Sequence, residues 1–159
     1  MLIKLLSILV IMPMIVSDFR YRYISLHWLI AFTLTALYLR CCACELYPAL
    51  LNIGVNVLIT LFMLLGTGLY FRIRYGGWGI RFRDCIGTGD LLFLFSITLL
   101  FEPETFLSFL VISLLFSLAW HYISVRISGR DKTIPLVATI GVCYLVYSLI
   151  ENTLWSINQ

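Results

Sequence analysis

Charge is scarce in this sequence: eleven basic and eight acidic side chains among 159 residues, 12% in all, where a soluble domain carries about a quarter. That shortage excludes a water-facing surface over most of the chain. The few basic residues are scattered over several short loops and form no patch, which argues against nucleic acid as a partner. Histidine is nearly absent, and the two present, His27 and His121, fall at expected helix ends, where an interfacial role suffices. No internal repeat or low-complexity tract is present. What is abundant is apolar. Hydrophobic residues make up 62% of the chain and the mean hydropathy is +1.01, so an integral membrane protein is expected. At about 20 residues per crossing, the length fits an all-α bundle of about six transmembrane helices in one domain over residues 1–159, with no room for a soluble domain.

The apolar runs predict helix one from Leu2 to Ser17, ending at Asp18-Phe19-Arg20-Tyr21-Arg22-Tyr23. A secretory signal is disfavoured there, because Met14-Ile15-Val16-Ser17 lacks a small-x-small cleavage pattern. Helix two is expected from Ile24 to Leu39 with Trp28 and Tyr38 as interfacial anchors, and helix three from Tyr47 to Phe71. The stretch Arg72–Ile86 places Arg72, Arg74, Arg81 and Arg83 around Gly76-Gly77-Trp78-Gly79, which reads as a mobile loop contacting anionic lipid headgroups, with a cover over a site as the alternative. Helix four follows from Gly89 to Phe101, helix five from Thr105 to Ile123, and helix six continues to Trp155 with Pro135 in its first turn, where a missing N–H does no harm.

Orientation follows from the Lys and Arg residues. The loops after helices one, three and five hold Arg20, Arg22, Arg72, Arg74, Arg81, Arg83, Arg126, Arg130 and Lys132, against Lys4 and Arg40 on the other side. Those loops are therefore expected in the cytoplasm and both chain ends outside. Asp18, Asp84, Asp90 and Asp131 then face the cytoplasm, whereas Glu45, Glu102, Glu104 and Glu151 face out.

Asp90 closes the run Gly87-Thr88-Gly89-Asp90 at the mouth of helix four. An ionisable group there is costly unless paired, solvated or neutralised, so function is the default explanation. Two glycines ahead of it would let the backbone turn sharply and clear space for a substrate peptide. One carboxyl cannot both activate water and protonate a leaving amine, which makes Asp18 the second candidate. Twelve steps from Asp90 to Glu102 give about 18 Å of helix, and fourteen from Lys4 to Asp18 about 21 Å, both short of a hydrocarbon core of roughly 30 Å. Both acids are thus expected at similar depth near the cytoplasmic face. Converging there, they would share one proton, since like charges at close range cannot both ionise. The ionised acid would take a proton from water and the neutral one would polarise a scissile carbonyl, with no metal or cofactor needed. Juxtamembrane charge beside Arg20 and Arg22 is the plainer reading of Asp18, and solvated loop acids that of Asp84 and Asp131.

These residues resemble the type IV prepilin peptidase family, relatives of archaeal preflagellin peptidase and, through Gly-x-Gly-Asp, distantly of presenilin. Asp18, the basic stretch and Ile24 match the family's first motif, and Gly87 to Asp90 match its second. Ile134-Pro135-Leu136-Val137-Ala138-Thr139-Ile140-Gly141 is similar to the opening of its last helix. The likeness runs in order over nearly the whole chain. Ser25 and Leu26 replace the usual Pro-Asn, and Leu92 stands where Lys is common. The resemblance implies a bacterial inner-membrane aspartic endopeptidase. Its catalytic pair would be Asp18 and Asp90, supported by Gly87 and Gly89. It would cut a short basic leader, after Gly, from prepilin or pseudopilin-like proteins at the cytoplasmic face. No counterpart of the zinc-binding cysteine region of bifunctional members is present, so peptidase activity without N-methylation is expected.

Cys41-x-x-Cys44 has redox spacing, yet no thioredoxin-like pattern surrounds it, and zinc would need a second ligand pair. Cys85 lies near the expected site without a histidine close in sequence. Asn52 and Asn56, one turn apart, suit hydrogen bonds to a neighbouring helix. Two other functions fit the same acids: an inactive homologue serving as a scaffold in a pilus or secretion assembly, and a small proton-coupled transporter, the latter without inverted-repeat symmetry to support it.

Overall fold

The computed structural model describes residues 2–43, 45–75, 87–128 and 135–157. These form six helices: α1 Leu2–Tyr21, α2 Leu26–Ala43, α3 Leu46–Tyr75, α4 Thr88–Ile97, α5 Pro103–Ser128 and α6 Leu136–Ile157. The all-α reading holds. Two of the helices, over Leu46–Tyr70 and Pro103–Ile127, are long and apolar enough to cross a membrane. On α3 the apolar residues Leu51, Val55, Leu58, Phe62, Leu65 and Leu69 recur every three or four positions and are all exposed, Phe62 at 80%. That period draws one continuous apolar stripe down the helix.

Several helix ends differ from the sequence expectation: α2, α3 and α5 run past Leu39, Phe71 and Ile123 to Ala43, Tyr75 and Ser128, and three further ends bear on the candidate acids. α1 does not stop at Asp18. It continues to Tyr21, Arg20 complementing the negative end of its dipole, and ends where Arg22 adopts φ 55° while its N–H closes on the Asp18 carbonyl at 3.1 Å. Asp18 therefore belongs to the last turn. α4 is shorter than expected: beyond Ile97 the chain tightens, Leu99 N–H bonding Ser96 O at 3.3 Å and Leu100 N–H bonding Ile97 O at 3.0 Å. The regular helix from Asp90 thus covers only about 10 Å, and the earlier 18 Å measure to Glu102 overstates it. Pro135 stands just ahead of α6, not inside its first turn.

The chain divides into two compact units. One comprises the chain up to Phe32 and again from Ser108, and the other is Thr33–Leu107. In the first, α1 packs along α6. Ile11, Met14 and Ile15 of α1 and Val137, Ala138 and Ile140 of α6 are all buried. Gly141 makes the close approach possible, because a Cβ there would lie 2.7 Å from Ile15 Cγ1. Small residues at such a seam let two backbones come together. Ser7 and Tyr144 share a buried hydrogen bond of 2.9 Å across it, and the Tyr144 ring meets Phe32 edge-on at 5.9 Å.

In the second unit, α3 packs against α4, and Phe93, Leu94, Ile97 and Phe101 are buried. Thr33 of α2 and Ser96 of α4 share a hydrogen bond of 2.7 Å. Arg40 is buried in the last turn of α2, where a cation meets the favourable end of the helix dipole.

Candidate active site

Asp18 is brought to its position by the apolar stripe of α1. Val10, Ile11, Met14 and Ile15 bury one face of that helix, and Asp18 falls three residues past Ile15 on the same face, only 5% exposed. Burial of a carboxylate demands hydrogen-bond partners. The partner is a backbone group: Ala138 N–H donates to Asp18 Oδ2 at 2.8 Å. The reason lies in the start of α6. The first N–H groups of a helix have no partner within it, and Pro135, preceding the helix, has no side-chain acceptor to offer. Asp18 supplies the missing cap from another helix. Arg22, one turn on, attracts the same carboxylate electrostatically. Beside it, Phe19 packs edge-on against Trp120 of α5, with ring centroids 5.8 Å apart.

Asp90 belongs to the second unit and stands in the first turn of α4, half-buried, where the positive end of the helix dipole suits an anion. Gly87 is the residue immediately before that helix. Its backbone, φ −65° and ψ 146°, is open to any residue, so a sharp glycine-dependent turn is not what this position provides. It provides space. A Cβ on Gly87 would lie 3.2 Å from Asp90 Oδ2, closer than side chains ordinarily pack. Gly87 and Asp90 are thus brought together, with Thr88 exposed and Gly89 half-buried between them.

The far end of α4 is fastened by a residue that sequence reasoning assigned only to helix packing. Asn56 of α3, fully buried, donates from Nδ2 to Thr98 O at 3.0 Å and to Phe101 O at 2.8 Å. Both accepting carbonyls lie where the chain leaves α4. Asn52 is half-buried. Leu92, at the position where the resembled family commonly has Lys, is 50% exposed.

Among the described residues no group of three or more His, Cys, Asp or Glu side chains converges as metal ligands would. Cys41 and Cys42 are exposed free thiols. His27 is exposed at the start of α2, as expected, whereas His121 is half-buried inside α5, seven residues before its end, because that helix continues past the expected stop at Ile123. Cys44, Asp84, Cys85, Asp131 and the glycine-rich part of the basic loop lie outside the described residues.

The chemistry open to each acid is definite. Asp18 offers an enclosed carboxylate with one oxygen held by a backbone donor, and Asp90 a half-buried carboxyl at a helix mouth with no side chain on the glycine beside it. Either can exchange a proton with water or a peptide carbonyl that reaches it. The chain matches no protein-family model, no curated protein and no solved structure.

Proposed function

We propose that this chain is an aspartic endopeptidase of the prepilin-processing type, crossing the bacterial inner membrane several times, with Asp18 and Asp90 as its catalytic pair. The observation that carries the reading is the Asp18–Ala138 hydrogen bond. It joins the first and third of the stretches on which the family resemblance rests, and it holds a buried acid in one orientation. Membrane insertion is supported by the two long apolar helices and by the exposed apolar stripe on α3.

In this proposal one of the two acids is ionised and the other neutral. The ionised acid removes a proton from water as the oxygen attacks the scissile carbonyl, and the neutral acid gives its proton to the carbonyl oxygen. In the collapse of the tetrahedral intermediate one hydroxyl returns its proton to the acid that gave it, the carbonyl re-forms and the C–N bond breaks. The leaving amine takes up a proton from the acid that received one from water. The substrate class is a basic leader followed by an apolar helix, cut on the cytoplasmic side. The test is purified protein in liposomes with such a substrate. Wild type should release the leader, and Asp18→Asn and Asp90→Asn should each abolish release. Cleavage that survives either single change refutes the pairing.

A scaffold without activity is the second reading, favoured by Ser25, Leu26 and Leu92 in place of the family's usual residues. Under it, both Asp→Asn variants support pilus or secretion assembly as well as wild type does.

A further inference from the structure

The helix that carries Asp90 is ten residues long, about 15 Å, and its far end opens into a tight turn inside the second unit. Such an end leaves backbone carbonyls without helical partners, and in an apolar surrounding each needs a donor from elsewhere. The turn supplies part of this itself. Thr98 N–H bonds Leu94 O at 3.3 Å, and the Thr98 hydroxyl bonds Phe95 O at 2.6 Å. Two carbonyls, of Thr98 and Phe101, are taken by the two hydrogens of a single amide, that of Asn56. No other side-chain group of that size offers two donors on one atom without a charge. Asn56 itself is fully buried, and Thr60 donates its hydroxyl to the Asn56 main-chain carbonyl at 2.9 Å, one turn on in α3.

We propose that Asn56 is a positioning residue for Asp90: by holding both carbonyls at the end of α4 it sets how deep in the bilayer the helix mouth, and with it the acid, is presented. This rests on the aspartic-peptidase reading for its catalytic consequence, but not for its structural one. A helix of under three turns behaves as one rigid piece, so a shift at Thr98, its C-cap, reappears at Asp90. Thr33 shares a hydrogen bond with Ser96 in the last turn of the same helix, 2.7 Å. That bond joins two hydroxyls and holds neither of the two end carbonyls.

The test combines a depth readout with a kinetic one. In a cysteine-free full-length background reconstituted in liposomes, Thr88→Cys places one thiol beside Asp90, and its rate of reaction with a membrane-impermeant maleimide reports depth. Asn56→Asp keeps the shape and replaces the donors with acceptors. It should change that rate by about tenfold and lower kcat for leader cleavage by roughly 10²-fold with KM little altered, the scale expected of a displacement near 1 Å. Asn56→Gln, which retains the amide, should restore part of both. Thr33→Val should leave the labelling rate as in wild type.

An unchanged labelling rate in Asn56→Asp overturns the proposal, and so does an equal change in Thr33→Val, which would mean general loosening. If Asn56→Asp does not fold, Asn56→Gln carries the same comparison, with a smaller change in the same direction expected and none refuting. Wild type that never cleaves, in a chain whose labelling still depends on Asn56, refutes the peptidase reading and leaves the positioning role standing.

Discussion

The carboxylate of Asp18 is the cap of a helix more than a hundred residues away: its Oδ2 accepts the Ala138 N–H at 2.8 Å. One side chain in the last turn of α1 thus caps α6 and supplies half of the proposed catalytic pair. Structural and chemical duties of that residue can be separated by substitution.

Asp18→Asn keeps an oxygen that can accept the Ala138 N–H, and asparagine caps helices about as well as aspartate. Thermal unfolding in detergent should therefore stay close to wild type, while leader cleavage falls by roughly 10²–10⁴-fold, the range for losing an acid–base group. Asp18→Ala should lose the same activity and about 1 kcal/mol of stability in addition. Equal instability of the two variants would show that the cap needs the charge.

Gly87→Ala places a methyl group 3.2 Å from Asp90 Oδ2 without straining a backbone already at φ −65°. The carboxyl must move by a few tenths of an ångström. The expected result is an unfolding midpoint within 1–2 °C of wild type, as surface changes produce, and cleavage about tenfold slower. Full activity in this variant would mean that the orientation of Asp90 is not restricted from that side.

Gly141→Ala should destabilise the seam between α1 and α6, where the new Cβ would lie 2.7 Å from Ile15 Cγ1. Overpacking of this kind costs about 1–3 kcal/mol. Ile15→Ala alone leaves a cavity, but combined with Gly141→Ala it removes the colliding atoms. The double variant should be more stable than the sum of the single losses, and a double-mutant cycle in unfolding measures the difference.

Topology is open to labelling with impermeant reagents on a cysteine-free background. Single cysteines at Tyr23 and Gly129 should react from the cytoplasmic side only, and at Glu45 and Glu102 from the outside only. Reaction of all four from one side would remove the multi-pass arrangement that the distribution of Lys and Arg predicts.

Much of the helix order was legible in the sequence because apolar runs, charged breaks and Pro-containing turns alternate along it. The ends were less so. The apolar run after Asp90 continues to Phe101, and nothing in its composition marks the tightening after Ile97 that shortens α4. Arg20 and Arg22 read as the start of a loop, whereas the first completes the helix and the second ends it with a positive φ. Asp18 was legible as a candidate but its partner was not, because a backbone N–H has no sequence signature. The one available signal was indirect: Pro135 at a helix start leaves a cap to be supplied from elsewhere. Asn56 was legible as a polar residue seeking a neighbouring helix, though not that it would take two carbonyls at the end of the helix bearing Asp90. Gly87 was recognised for its motif, and of the two reasons read for it, the space left by the missing side chain is provided while backbone freedom is not needed.

The first unit draws on both extremes of the sequence, with Thr33–Leu107 between them. During synthesis, the whole of that middle stretch leaves the ribosome before α6 exists. Asp18 must therefore wait for the last helix before its carboxylate gains the Ala138 N–H, and a nascent chain interrupted anywhere before Ala138 carries an acid not yet fixed in place. If the proposed chemistry holds, the peptidase is inert until α6 has been made, and arrival of that helix is what arms it.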